Sequence, residues 1–425
     1  MSYQFKIKKL VNSIKINKKL LFSFLNYYIF TILSAVISIS SISYLTHTLP
    51  ESGYGHLGIF ISISFLMPSF LSFQAIGLIQ INIVNYSYEK YVYFRNNFLT
   101  FCIALFLLFE LLAFAFTSLW GEYNSIVHFS IIYGFLLLLS SIHNSELIQK
   151  SKATQFGILN FGTSALSLLI TYILISIFNF NWEGRVLSFL ISEGFFLFLR
   201  LAYFSDIGKK FKITANKIEW KCFLKYGMTI WIGAIAGWVI NQSDRFILLH
   251  YLTIEDVGIY SAGAGISGFV MTINGTMAKV IAPLIYKALN EKQDKKFILK
   301  LFKIYTVLIL VLALSICIAV LFFLPYFFGE KYLASKWVIC ILTMAQAFFG
   351  MYQIVGLVID YLKLNNLKSV IMSLSALSCL ITGIILIPWF DIKAPALGNL
   401  ISFILLASLT YYFTNKELSK LEKLQ

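Results

Sequence analysis

Residues 301–328 read LFKIYTVLILVLALSICIAVLFFLPYFF, with Lys303 as the single charge. A run this long and this apolar crosses a hydrocarbon core of about 30 Å as an α-helix. Eleven further apolar stretches lie near 21–45, 56–83, 98–119, 125–145, 156–180, 185–205, 223–250, 257–286, 333–360, 367–389 and 393–413. In lipid the backbone is satisfied only in helices or closed barrels. Barrel strands need about 9–11 alternating residues, so these continuous runs predict helices.

Composition agrees. The 425 residues are 59% hydrophobic and 12% charged, where a soluble domain carries about 25% charge. A net charge of +15 would suit nucleic acid, but its placement argues for a membrane and no nucleic acid. Of the 34 Lys and Arg residues, 28 fall on every second connection. They cluster in the N-terminal tail (Lys6, Lys8, Lys9, Lys15, Lys18, Lys19), in 200–225 and in 287–303, with smaller sets at Lys90/Arg95, Lys150/Lys152, Lys363/Lys368 and Lys416/Lys420/Lys423. The alternate connections hold only Arg185, Lys331, Lys336 and Lys393. The positive-inside rule then predicts two cytoplasmic termini, and attraction to anionic membrane lipids accounts for the basic loops. Cys102, Cys222, Cys317, Cys340 and Cys379 show no metal-binding spacing, and their odd number implies no disulfide framework. The first run follows a long basic tail and exceeds a signal-peptide core, which predicts an uncleaved first span.

The chain also repeats itself. His47, Leu49 and Gly55 recur as His250, Leu252 and Gly258 at an offset of 203, and Leu187, Leu190, Ile191 and Ser192 recur as Leu397, Leu400, Ile401 and Ser402 at an offset of 210. Twelve spans then divide into six plus six. An even number per half makes the repeats parallel, with the natural place for a central cavity between them. The expectation is an all-α integral membrane protein of twelve transmembrane helices in two six-helix bundles. The bundles cover 21–205 and 223–413, with a cytoplasmic linker at 206–222 and cytoplasmic tails at 1–20 and 414–425.

Charges inside a membrane cost roughly 2.5–3.5 kcal/mol each on insertion scales, so each one needs a reason. The candidates are Glu110, Glu193, Asp244, Arg245 and Lys279. Arg245 and Lys279 are candidate anion contacts in a cavity. The plainer readings are an interfacial pair of Asp244 with Arg245 and a Lys279 that snorkels to water. Glu110 stands near the middle of the third run, where it must be protonated, paired or facing water, and is the first candidate for ion coupling. Glu193 is a second, or pairs with Arg200 two turns away. The seventh run adds Asn241, Gln242 and Ser243 to Gly227, Gly233, Ala234, Ala236 and Gly237, small and polar residues that permit close packing or a bend. Pro68 and Pro283 are expected to kink their helices.

The segment from Tyr226-Gly227 through Asn241-Gln242-Ser243-Asp244-Arg245-Phe246-Ile247-Leu248 to Val257-Gly258-Ile259-Tyr260-Ser261-Ala262 resembles the polysaccharide transporter family. It is similar to the Wzx-type O-antigen flippases of the multidrug/oligosaccharidyl-lipid/polysaccharide exporter superfamily. Gly53-Tyr54-Gly55 and Ala394-Pro395-Ala396-Leu397-Gly398-Asn399-Leu400-Ile401-Ser402 fit as well, although Pro395 stands where the family often has Gly-Ala. The resemblance implies a bacterial inner-membrane protein, not an enzyme and without a cofactor. It would carry an undecaprenyl-pyrophosphate-linked oligosaccharide from the cytoplasmic to the periplasmic leaflet by alternating access. A proton or sodium ion would be the coupling partner, and a polysaccharide polymerase and chain-length regulator the protein partners. Arg245, Lys279, Asn241 and Asp244 would be the substrate-binding residues. Related lipid II flippases carry charges in their first span. Here that span has only Asn26, Tyr27 and Tyr28 near its start, which argues against a lipid II substrate.

Physical chemistry supports the same reading. Each sugar hydroxyl placed in hydrocarbon without a partner costs roughly 4–8 kcal/mol, so the head group needs a polar path. A pyrophosphate needs cations, and Arg offers a bidentate fork. A multidrug exporter of the same superfamily is the alternative; it would favour acidic cavity residues. A membrane-bound polysaccharide polymerase or acyltransferase is disfavoured by the short outer loops and by the lack of any H-E-x-x-H, nucleophile elbow or metal cluster. No G-x-x-x-x-G-K-[ST] is present, so ATP hydrolysis is not expected within this chain.

Overall fold

A computed structural model describes residues 18–150, 152–204, 207–291 and 295–423. The basic tail through Lys15 and the basic Lys292 lie outside the described residues. No strand occurs among the described residues. The principal helices are α1 (Lys18–Thr48), α2 (Glu51–Leu71), α3 (Gly77–Asn85), α4 (Tyr88–Ala115), α5 (Asn124–Gln149), α6 (Ala153–Tyr172), α7 (Trp182–Leu199), α8 (Lys217–Tyr251), α9 (Ile254–Asn290), α10 (Lys295–Phe327), α11 (Lys336–Tyr361), α12 (Asn365–Phe390) and α13 (Ala394–Lys423).

Among the described residues ten helical stretches are long and apolar enough to cross a membrane, and α8 makes an eleventh when its two bent parts are taken together. One of the ten, Asn366–Glu422, contains both α12 and α13. They are parted by the turn Asp391–Lys393, where Asp391 takes a φ of 44°. The outer surface is apolar, with Phe114, Leu119, Phe322 and Tyr326 among its exposed side chains. Lipid solvates such a surface, and water does not.

Local chemistry explains the helix ends. Thr253 and Asp256 form a reciprocal capping box that starts α9 three residues before its apolar run. Asn216 caps α8 by accepting from the Ile218 amide at 2.9 Å. The expected second span, 56–83, is two helices. After Pro68 the Ser72 amide and hydroxyl both turn back to the Pro68 carbonyl, and Phe73 and Gln74 take φ values of 49° and 55°. Left-handed residues end a helix. By contrast, α9 runs through Pro283 to Asn290. Of the two readings left open for the seventh run, close packing or a bend, a bend is present: Lys217–Met228 meets Ile230–Tyr251 at 50°.

The described residues 207–222 are docked against α4. Asn96 donates to the Lys210 carbonyl at 2.9 Å, and the Asn216 amide donates to Asn97 at 3.0 Å. Phe223, fully buried, packs among Phe94, Phe98 and Phe101.

Helix pairing falls into two sets. In the first, α1 packs on α6, α6 on α7, and α5 on α2 and α7; in the second, α11 packs on α9, α10 and α13, and α12 on α8 and α13. The sets meet through α2 against α9 and α8, and through α1 against α9. One hydrophobic cluster runs through both sets, joining Leu49, Tyr54, Leu57 and Phe60 to Leu248, Val257, Tyr260 and Tyr332.

Candidate functional site

The junction of the two sets is closed at one end and open further along. At the closed end α2 and α9 touch through small residues. A Cβ on Gly55 would strike the Ile254 carbonyl, one on Gly58 the Ser261 hydroxyl, and one on Gly258 the Glu51 carbonyl. Glycine lets two backbones approach this closely. The turn at 329–335 covers the same end. Tyr332 donates to the Leu49 carbonyl at 3.0 Å, its ring meets Tyr54 edge-on at 5.5 Å, and Ser43 donates to the Phe327 carbonyl at 2.7 Å.

Beyond this seal the helices part. A cleft of about 350 Å³ lies between α1, α6 and α9; Ser34, Ser38, Asn160 and Thr272 set polar groups into a mainly apolar wall that includes Phe30, Ile42, Phe156 and Phe269. A side chain built on Gly268 or Gly275 would meet open space. A second cavity of about 270 Å³ reaches into the first set of helices and shares Ser34, Ser38 and Asn160 with the cleft. Its walls are rich in hydroxyls and hold Arg185 and Glu193.

The expected site residues separate on this frame. Lys279 is exposed and lies seven residues beyond Thr272, on the same face of α9 and about 10 Å further along it. It forms no ion pair among the described residues. Arg245 is instead enclosed. Its guanidinium donates to Asp244 at 2.6 Å and to the Asn241 carbonyl at 3.0 Å, and lies 5.5 Å from the centre of the Tyr260 ring. Asp244 is 3% exposed and also receives Asn399 of α13 at 3.5 Å. The pair ties α8 to α9 and α13 and is on the wall of neither cavity. Asn241 turns its amide back onto the Gly237 carbonyl at 2.8 Å.

Glu110 stands five residues before the end of α4 and not at its middle, because that helix starts at Tyr88, ten residues before the apolar run. It accepts from or shares a proton with His128 of α5 at 2.7 Å and is on neither cavity wall. Glu193 lines the second cavity and receives the Ser140 hydroxyl. It does not pair with Arg200 among the described residues. Arg200 bonds Asn144 at 3.0 Å and Asn160 at 3.2 Å.

From the sequence Arg185 reads as a loop charge, but it sits in the first turn of α7 and faces the second cavity. The serine stripes Ser34-Ser38-Ser41 and Ser164-Ser167, at helical spacing, were the available signal for this cavity.

Ten or more helices long and apolar enough to cross a membrane define a multi-pass membrane protein, here with a cleft between its helices that is sealed at one end. The chain belongs to the family described as polysaccharide biosynthesis protein, which its residues 45–337 match. It is similar to Lsg locus putative protein 1 of Haemophilus influenzae, 23% identical over 300 residues, covering 66% of this chain and 73% of that protein. Among solved structures it resembles a multidrug resistance MATE family transporter of the MOP superfamily in its inward-facing conformation, with a TM-score of 0.69 and 14% identity over 94% of this chain and 99% of the other. An outward-facing MATE structure gives 0.56 at 14% identity, covering 95% and 97%. The lipid II flippase MurJ in an inward closed conformation gives 0.62 at 15% identity, covering 93% and 89%. The chain therefore shares the fold of these solved structures.

Proposed function

We propose that this protein is a flippase of the Wzx type, moving an undecaprenyl-pyrophosphate-linked oligosaccharide of the O-antigen class across a bacterial inner membrane. The carrying observation is the cleft between α1, α6 and α9, closed where α2 meets α9, together with the hydroxyl-rich second cavity that shares Ser34, Ser38 and Asn160 with it. Such a cleft gives sugar hydroxyls the hydrogen-bonding partners that hydrocarbon lacks, while the polyprenyl tail stays in lipid. Membership of a polysaccharide biosynthesis family supports a saccharide cargo over a drug. The higher TM-score with the inward-facing structure supports a state open toward the cytoplasm. In this reading twelve spans form two six-helix bundles with both termini cytoplasmic.

Lys279 is the proposed first contact for the diphosphate, since it stands free on the cleft face of α9. Arg245, closed onto Asp244, is a tie within the second bundle. Glu193 is the proposed ion-coupling group because it alone of the two carboxyl candidates lines a cavity joined to the cleft. Deleting the gene should remove surface polysaccharide and accumulate the lipid-linked saccharide in the inner leaflet. Lys279→Gln should lower export roughly tenfold, the scale of one charge-assisted contact, and Lys279→Arg should restore much of it. Normal surface polysaccharide in the deletion strain would sink the assignment.

A further inference from the structure

The second cavity has a cation at one end, with no anion in contact with it. Arg185 donates through Nη1 to Thr171 at 2.7 Å and Ser167 at 3.2 Å, both neutral hydroxyls. Its Nε is buried without a hydrogen-bond partner. Among the described residues no carboxylate lies within ion-pair distance. Phe189 lies beneath the guanidinium, with its ring centre 4.1 Å away, and Tyr133 stacks on Phe189 at 5.3 Å. The cavity thus has an aromatic wall, hydroxyl walls on α1 and α6, and a guanidinium with donor capacity to spare. Glu193 faces the same space eight residues along α7, about 12 Å away.

We propose that this cavity is a subsite for one acidic sugar residue of the transported saccharide, with its carboxylate on Arg185. The proposal rests on the flippase reading and names the substrate class it would take. Volume is the first argument. About 270 Å³ equals roughly nine waters, the size of one sugar ring and not of a chain. Chemistry is the second. A guanidinium gives a carboxylate charge-assisted hydrogen bonds, stronger than those between neutral groups. Hydroxyls suit the ring's own hydroxyl groups, and Tyr133 and Phe189 suit its C–H face. Charge placement is the third. The carrier diphosphate bears more negative charge and would share the cavity with Glu193, whereas a single carboxylate at the Arg185 end stays clear of it. Ser34, Ser38 and Asn160, common to both spaces, form the doorway from the cleft.

The test uses the full-length purified protein in nanodiscs, with saturation-transfer difference NMR and three probes: glucuronate, glucose and inorganic pyrophosphate. Glucuronate should bind the wild type at millimolar concentration. Arg185→Gln should weaken it by roughly tenfold or more, Arg185→Lys should weaken it less, and glucose should bind both proteins equally. Ser38→Leu narrows the doorway while leaving the guanidinium in place, and should weaken glucuronate too. That variant keeps the test decisive if Arg185→Gln fails to fold. Equal glucuronate binding by wild type and Arg185→Gln, or none by the wild type, overturns the proposal. So does pyrophosphate that displaces glucuronate and is itself lost in Arg185→Gln, since the site would then hold the carrier. Binding is read without transport. A protein that binds glucuronate through Arg185 yet flips no lipid-linked saccharide would defeat the flippase reading alone.

Discussion

A Cβ on Gly258 would lie 3.0 Å from the backbone nitrogen of Gly55, although 203 residues separate the two. These glycines correspond at the 203-residue offset of the sequence matches. Each stands near the start of its helix, α2 or α9, and they meet where the halves close on each other. The Leu49–Tyr332 bond and the surrounding apolar cluster complete the closure.

Filling this contact should open it. Gly258→Val forces a side chain against the Glu51 carbonyl, a backbone atom that cannot rotate away. Overpacking of this kind costs about 1–3 kcal/mol and bears only on the closed arrangement. Hydrogen–deuterium exchange of 46–58 and 253–262 should rise in the variant. Unchanged protection there would mean that α2 and α9 can be spaced without loss.

The buried pair should behave as a pair. Arg245→Ala leaves Asp244 enclosed without its cation, a loss of about 3–5 kcal/mol, and should lower the thermal unfolding midpoint in detergent. Asp244→Asn combined with Arg245→Met removes both charges at similar volume and should recover most of that midpoint. Export should follow stability across the series. A stable double variant with no export would instead give Arg245 a direct part in transport.

The two carboxyl candidates should part under an imposed proton gradient. In reconstituted vesicles the wild type should flip lipid-linked saccharide faster with the gradient than without it. Glu193→Gln should lose the acceleration, and Glu110→Gln, whose side chain is engaged by His128 away from both cavities, should keep it. The reverse pattern would return the coupling role to α4.

Sidedness is open to a direct measurement. Reporter fusions at Lys210 should read cytoplasmic and at Tyr123 periplasmic. Lys210 lies on the linker held against α4, and Tyr123 in the turn before α5. A periplasmic signal at Lys210 would reverse the orientation and the meaning of the sealed end.

The sites were less legible than the fold. Glu110 reads from the sequence as a lone carboxyl, because its partner His128 comes from the next helix and hydropathy does not show which helices face each other. Arg185 looked like a loop charge because it falls at the edge of its apolar run, and hydropathy says nothing about which way an edge residue points. Asp244-Arg245 is adjacent in sequence and so reads as a surface pair. Its burial comes from Asn399 and Tyr260, which arrive from other helices.

By itself the sequence determined the solvent, the helical class, the repeat and the charge asymmetry. All of these are written in composition and spacing: lipid requires long apolar helices, and Lys and Arg mark the connections directly. Only the tertiary structure decided which end of the junction is sealed, that Gly55 meets Gly258, and that Arg185 and Glu193 share a cavity while Arg245 is closed off. Those facts depend on contacts between helices far apart in the chain, and packing of that kind is set by the shape of both partners at once.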